Sequence, residues 1–187
     1  MLAEQQIKDL KSGSIIFLLL TKQNSIDALN KAGNKELATQ VANEQMQLNQ
    51  KIMAAFKANF NFCPVYFAFA DDVEQLKAGK TEGLLLNNEM KKDPSIKLTN
   101  KYFLFAEYGQ VYSETAGFVG NNVDTNYVEQ GQAFMESCFV LKDLGRYQLK
   151  SPFPYYVSCG NINSASKKVK KLNAKISDYY TQVTTGK

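Results

Sequence analysis

Histidine is absent from this chain of 187 residues, and its absence excludes several kinds of active site. A protein without imidazole has no Ser-His or Cys-His nucleophile, no His-ligated zinc and no histidine acting as a general base near neutral pH. Any catalysis would have to use carboxylates, lysine, tyrosine or cysteine. Tryptophan is absent as well, whereas 12 Phe and 10 Tyr supply many large apolar side chains.

Cysteine is scarce, and none of the three residues belongs to a C-x-x-C pair. This spacing argues against a thioredoxin-type redox pair and a cysteine-rich zinc site, and we expect neither a metal nor a cofactor. An odd count permits either one disulfide with one remaining thiol or three thiols. Cys138 and Cys159 both lie in predicted strands, so a disulfide between them stays a hypothesis for an oxidising compartment.

Long apolar runs are missing too. The sequence "IIFLLL" at residues 15–20 is far too short to span a bilayer. Asp9 and Lys11 precede it and no small-residue cleavage site follows, so no signal peptide is predicted. With 44% hydrophobic and 21% charged residues, the composition is typical of a globular protein, and the length favours one domain over residues 1–187.

The net charge of +4 comes from the end of the chain. Residues 161–187 carry six lysines and one aspartate, a net charge of +5, which leaves the rest near −1. Nucleic-acid binders usually show a broad basic surface and aromatic side chains for stacking. We therefore interpret the lysines between residues 167 and 175 as a solvated helix face and expect no nucleic-acid partner.

The first part of the chain predicts a strand and a long helix. Residues 13–21, "GSIIFLLLT", predict a strand covered on both faces. Residues 24–60 predict a helix that Asn24 or Ser25 caps. An unbroken helix of this length would exceed a compact domain, so we expect a break at Gly33-Asn34. Its apolar stripe is Leu37, Val41, Leu48, Ile52, Phe56 and Phe60, and its polar face is Gln40, Asn43, Gln47, Asn49 and Gln50.

Three further strands and a short helix follow. Residues 64–70, "PVYFAFA", predict a central strand because both of its faces are apolar. Residues 71–80 predict a short helix that ends at Gly79. The runs at 83–88 and 101–109 predict two more strands, separated by a loop.

The last third of the chain predicts a loop, more strands and a final helix. Residues 116–132 are rich in glycine and asparagine and indicate a surface loop. Residues 133–142 predict a strand, and 147–150 its hairpin partner. Residues 151–159, "SPFPYYVSC", indicate extended chain with a candidate cis bond at Phe153-Pro154. The final helix is predicted at 164–183, with Ser164 or Ser166 as its cap.

This element order, β-α-β-α-β-β-β-β-α, predicts an α/β fold, with α+β as the alternative. The expected architecture is a mixed sheet with flanking helices. In outline it is βαβ followed by ββα, a thioredoxin-like arrangement. The comparison concerns element order alone, because a fold does not determine a function.

Residues 59–72, "NFNFCPVYFAFADD", contain the strongest candidates for chemistry. Cys63 could be a thiolate nucleophile at the entrance of a strand. Asp71 and Asp72 follow the carboxyl end of that strand, where open α/β sheets bind ligands, and adjacent carboxylates can hold Mg²⁺.

A structural interpretation of the same residues is favoured. No basic residue adjoins Cys63 in the sequence to lower its pKa. A cysteine without such a partner is usually a buried residue that packs in the core. Aspartate is a preferred helix N-cap, and Asp72 has capping-box spacing to Gln75. We therefore expect Cys63, Val65, Phe67 and Phe69 to be almost inaccessible, and Asp71 or Asp72 to cap the next helix.

The motifs "FNFCPVYF" and "PFPYY", with the helix "IDALNKAGNKELATQVANEQ", resemble those of a family of bacterial proteins without an assigned function. The resemblance covers residues 14–180. It implies an exported protein of the periplasm or cell envelope, with a cytoplasmic location as the alternative, and it implies no activity.

Three functions fit these observations. The leading hypothesis is a non-catalytic module of the cell envelope that binds a partner protein or a small ligand. The first alternative is an enzyme that uses Cys63, or Asp71 and Asp72, in a cleft at the carboxyl edge of the sheet. The second is a structural domain of a larger assembly that docks through the helix at 34–60.

Overall fold

A computed structural model describes residues 2–112 and 137–186. The helices are α1 (Leu2–Ser12), α2 (Gln23–Lys31), α3 (Lys35–Asn59), α4 (Val73–Lys77) and α5 (Ala165–Thr185). The strands are β1 (Ser14–Leu19), β2 (Val65–Phe69), β3 (Phe103–Gly109), β4 (Cys138–Lys142) and β5 (Tyr156–Ser158). This architecture confirms the predicted α/β fold with a mixed sheet and flanking helices.

The sheet has the strand order β2-β1-β3-β4-β5. Strand β1 is parallel to both of its neighbours, since Phe17 pairs with Phe67 of β2 and with Ala106 of β3. Strands β4 and β5 continue the sheet in antiparallel fashion. Every residue of β1 is buried, which confirms the strand predicted from its unbroken apolar run. The predicted outline is βαβ followed by ββα. In the structure, the additional strand β3, parallel to β1, lies between the β1-β2 part of the sheet and the antiparallel strands β4 and β5.

The larger core lies on the sheet face that α1, α3 and α5 cover. Its centre is aromatic: the ring of Phe56 lies 4.8 Å from that of Phe17 and 5.2 Å from that of Phe139, measured between centroids. A smaller cluster on the other face includes Phe105 and Leu76 of α4. The sheet is thus covered on both faces, more thinly on the side of α4.

The predicted break in the long helix is confirmed. Helix α2 ends at Lys31 and α3 begins at Lys35, and Gly33 between them has φ +79°, a left-handed conformation that favours glycine. The predicted caps are wrong, because Lys22 rather than Asn24 or Ser25 occupies the N-cap position of α2.

The predicted faces of α3 are only partly right. Ile52 and Phe56 are buried, but Leu37 near the start of the helix is 40% exposed. Asn49, which the pattern assigns to the polar face, is buried instead, together with Gln45.

Strand β2 lies at the edge of the sheet, so the prediction of a central strand is wrong. Both of its faces are apolar because the helical layers extend over the edge strand as well. Phe67 is almost inaccessible as expected, whereas Val65 and Phe69 are only partly buried.

Other predictions need correction. Helix α1 was not predicted, although Ala3, Ile7 and Leu10 form its buried stripe. Residues 83–88 form isolated bridges at Leu85 and Leu86 rather than a strand. A single bridge also replaces the predicted hairpin partner at 147–150.

Two predictions near the end of the chain have different outcomes. The cis bond is at Ser151-Pro152 and not at Phe153-Pro154. The final helix is confirmed, with Ser164 at its N-cap position, although the Ser164 hydroxyl donates to the Cys159 and Asn161 carbonyls instead of capping. The predicted loop at 116–132, and the start of the predicted strand at 133–136, lie outside the described residues.

Among residues 2–112 and 137–186, no helix combines the length and the apolar character needed to cross a bilayer.

Candidate functional site

Cys63 lies just before β2 and is 7% exposed. The chain around it is held by the side chain of Asn173, whose Oδ1 accepts from the Asn61 and Phe62 amides at 3.0 Å. Burial raises the pKa of the Cys63 thiol to about 12, and the nearby Lys11 ammonium offsets only part of that rise. A thiol in this environment stays protonated near neutral pH and is a poor nucleophile.

Asp71 and Asp72 follow β2 but have different partners. The Thr21 hydroxyl, just beyond β1, donates to Asp71 Oδ2 at 2.6 Å. Asp72 is buried and forms an ion pair with Lys92, whose Nζ lies 2.8 Å from its carboxylate oxygens. Asp72 occupies the N-cap position of α4, as predicted, but its side chain makes no capping hydrogen bond there.

The structure does not bring the thiol and the carboxylates together. Cys63 precedes β2 and Asp71 follows it, so the whole strand, roughly 17 Å at the usual rise per residue, separates them. In the described part of the chain, no group of three or more cysteine or carboxylate side chains is arranged to hold a metal ion.

Cys138 begins β4 and Cys159 directly follows the neighbouring strand β5, but they are not bonded to each other. Cys138 pairs with Ser158, so Cys159 is one residue out of register. Because successive side chains of a strand point to opposite faces, this register directs the two sulfur atoms to opposite faces of the sheet. The backbone register therefore disfavours the hypothesised disulfide.

The carboxyl edge between β1 and β3 is where the strand order reverses, the usual ligand crevice of an open α/β sheet. Here α3 fills it. Gln45 Nε2 donates to Asn49 Oδ1 at 3.0 Å, and Asn49 Nδ2 donates to the Leu20 carbonyl at 2.8 Å. The remaining cavity, about 10 Å³, has room for about one water molecule.

A larger groove, about 300 Å³, lies along the outer edge of β2. The Ile15 amide donates to the Pro64 carbonyl. The backbone hydrogen-bonding groups of Pro64 and of every second residue after it therefore point towards β1. Val65 and Phe67 therefore direct their backbone groups away from the sheet. The Leu86 amide covers part of this edge by donating to the Phe67 carbonyl at 2.8 Å.

The walls of the groove combine apolar side chains with hydrogen-bond donors. Its apolar lining residues are Val65, Phe67, Leu86 and Ile96, and its polar ones are Lys57, Tyr66, Asn87 and Asn88. Asn87 Oδ1 accepts from the Glu89 and Lys91 amides, which leaves its NH₂ group as the donor. No carboxylate is among these lining residues, all of which lie in the described part of the chain.

Lys57 is the cation of this groove. Its Nζ lies 5.5 Å from the centroid of the Phe67 ring and donates to Asn88 Oδ1, a neutral acceptor. Partial burial lowers the pKa of the Lys57 ammonium. The groove therefore presents a partly desolvated positive charge beside apolar surface, a setting that favours a ligand with a carboxylate.

Sequence reasoning did not find this groove. Lys57 looked like an ordinary charged residue of a long helix, and residues 83–88 looked like a strand. One signal was available: Asn87-Asn88 directly after an apolar run is typical of a turn, and a turn there ends any pairing along the edge of β2.

Comparison of the chain with protein-family models, with curated proteins and with solved structures gives no match.

Proposed function

We propose that the protein is a non-catalytic α/β binding module, and that its ligand site is the groove along β2. The observation that carries this proposal is the groove itself: an opening of about 300 Å³ with an apolar lining, two asparagine side chains and one lysine. Small-molecule sites usually have volumes from about 300 Å³ upward and combine apolar walls with a few polar groups.

The polar groups of the groove favour a ligand rich in hydrogen-bond acceptors. Lys57 and the Asn87 NH₂ group are donors, and the acceptor oxygens of Asn87 and Asn88 are already engaged within the protein. A ligand that joins a carboxylate to an apolar body would match both parts of the lining.

The state of the other candidate residues supports binding over catalysis. The Cys63 thiol is buried with a pKa raised to about 12, and Asp72 is paired with Lys92. Neither group adjoins the groove. We place the module in the periplasm or cell envelope of a bacterium and in the family that shares its "FNFCPVYF" and "PFPYY" motifs, on the strength of that resemblance.

The groove can be tested with hexanoate, a carboxylate with a short apolar chain. We expect saturable changes in the amide signals of Val65, Phe67 and Asn88 in two-dimensional NMR spectra. Hexanamide, which has the same shape without the charge, should bind at least about tenfold more weakly, since the amide forms no ion pair with Lys57.

Two variants make the assignment specific. Lys57→Met keeps the apolar stem of the side chain and removes its charge, so it should lose the preference for hexanoate. Lys170→Met removes an exposed lysine from α5, far along the chain from the groove, and should bind like the unmodified protein. The proposed site would be refuted if hexanoate changed amide signals all over the protein surface. Equal signal changes in the unmodified protein, Lys57→Met and Lys170→Met would refute it as well.

A further inference from the structure

We propose that the groove takes an extended peptide segment, which adds to β2 as a further strand and places a carboxylate against Lys57. This inference rests on the proposed function of the groove and specifies the class of ligand. Strand addition to an exposed sheet edge obtains its affinity from main-chain hydrogen bonds and its specificity from pockets for alternate side chains.

The backbone of β2 presents hydrogen-bonding groups at the outer edge of the sheet. The register with β1 directs the N–H and C=O groups of Val65 and the N–H of Phe67 to the outer edge. The Phe67 carbonyl is already occupied by the Leu86 amide. An incoming strand would thus find three consecutive outward groups next to the groove.

The chain itself shows that this edge accepts a strand. Leu85 forms an antiparallel bridge with Ala68, so a short extended segment covers the carboxyl half of β2. The segment then turns away at Asn87, whose side chain closes the turn by accepting from two following amides. The outer edge of the amino half of β2 is left without a paired strand among the described residues, and the groove lies there.

The outer edge of β2 also lacks some of the features that usually prevent an edge strand from pairing with another chain. Sheet edges are commonly protected by charged side chains within the strand, by proline or by bulges. Residues 65–69, "VYFAF", contain none of these, and Pro64 stands before the strand. An uncharged edge of this kind is a template for another strand.

Charge complementarity specifies an acidic side chain on the incoming strand. Lys57 is the one charged residue among those that line the groove, and its hydrogen-bond acceptor there, Asn88, is neutral. A glutamate or aspartate on the face of the peptide that meets α3 would pair with Lys57, while its apolar neighbours would lie on Val65 and Leu86.

The test uses the full chain and a fluorescent seven-residue peptide of alternating threonine and valine with a central glutamate. We expect saturable binding by fluorescence anisotropy. Amide hydrogen exchange at Val65 and Phe67 should slow at least about tenfold in the complex, because both groups become hydrogen-bonded. The same peptide with glutamine instead of glutamate should bind about tenfold more weakly.

Changes to the protein and to the peptide separate the roles of charge and backbone. Asn88→Asp places a carboxylate beside the Lys57 ammonium and should remove the preference for glutamate over glutamine; Lys170→Met should keep it. N-methylation of the peptide backbone on its pairing side should abolish binding. Val65→Pro removes an outward donor, which edge strands tolerate, and should weaken binding as well.

The outcomes distinguish this inference from the proposed function. Binding of hexanoate without binding of the peptide would overturn strand addition and leave the ligand site intact. Equal binding of the N-methylated peptide would also overturn it, even if Val65→Pro fails to fold. Absence of both hexanoate and peptide binding would overturn both proposals.

Discussion

The side chain of Asn49 donates a hydrogen bond to the backbone carbonyl of Leu20 across 2.8 Å, and so ties the middle of α3 to the end of the interior strand β1. Asn49 in turn accepts from Gln45, and both residues are buried. This polar connection fills the crevice in which open α/β sheets usually bind their ligands. It is the physical reason why the groove at the edge of β2, and not the carboxyl edge, is the candidate site.

Replacing Asn49 by leucine should destabilise the protein by about 1–3 kcal/mol, because the buried Gln45 side chain loses the acceptor for its NH₂ group. The double variant Gln45→Leu with Asn49→Leu should recover part of this loss, since no polar side chain is then left unpaired. Urea denaturation of the unmodified protein, of each single variant and of the double variant measures the effect. A double variant that loses the sum of both single losses would contradict the account.

Cys63 should be almost inert in the native state. With its pKa raised to about 12 by burial, only about one molecule in 10⁴ carries a thiolate at pH 8. Labelling with a thiol-specific disulfide reagent should therefore be slow in buffer and fast in urea, with peptide mapping to identify the modified residue. Rapid native labelling of Cys63 would restore the nucleophile hypothesis.

Stability should decline at high pH. Burial raises the pKa of Cys63 to about 12 from 9.0, and burial aided by Asp9 and Asp143 raises that of Tyr102 to about 12 from 10.0. In both cases the unfolded chain loses its proton first, so stability is fully present below pH 9 and falls between pH 9 and pH 12. Denaturation midpoints across this range measure the decline.

Tyr102→Phe should make that decline shallower, because phenylalanine does not titrate. Tyr147→Phe is the matched control, since Tyr147 is 70% exposed and its loss should leave the slope unchanged. Equal slopes for Tyr102→Phe and the unmodified protein would show that Tyr102 does not contribute.

Two glycines should respond differently to alanine. At Gly33, where φ is +79° and no atom lies within 4 Å of an added Cβ, only the left-handed backbone opposes the change, at a cost of about 1–2 kcal/mol. At Gly13 an added Cβ would lie 2.7 Å from the Tyr102 ring and from its carbonyl oxygen, so the backbone must move. We expect Gly13→Ala to lower the thermal midpoint more than Gly33→Ala; the reverse order would contradict the packing at Gly13.

Much of the fold was predictable because its signals are local. The apolar run of β1, the break at Gly33 and the final helix, with its buried residues Val169, Leu172 and Ile176, each depend on neighbours within a few residues. The position of β2 was not predictable in this way. Its two apolar faces indicate burial, but burial of both faces does not distinguish a central strand from an edge strand that the helices also cover.

The candidate site depends on relationships that sequence spacing does not show. Asn49 looks like surface until β1 brings the Leu20 carbonyl beside it, 29 residues back along the chain. Lys57 and Asn88 are 31 residues apart and meet only because residues 84–86 lie along β2. Conversely, Cys63 and Asp71 are close in sequence, and the intervening strand holds them apart.

The position of β1 between β2 and β3 has a consequence for synthesis on the ribosome. Strand β1 is synthesised before both of its neighbours, β2 and β3. These two strands are complete only when Phe69 and Gly109 have been added to the chain. At about 5–20 residues per second, its apolar residues wait roughly 5–20 seconds for the second neighbour. During that interval we expect "IIFLLL" to be incompletely paired and prone to aggregation, so that a chaperone that holds extended apolar peptides would protect the nascent chain.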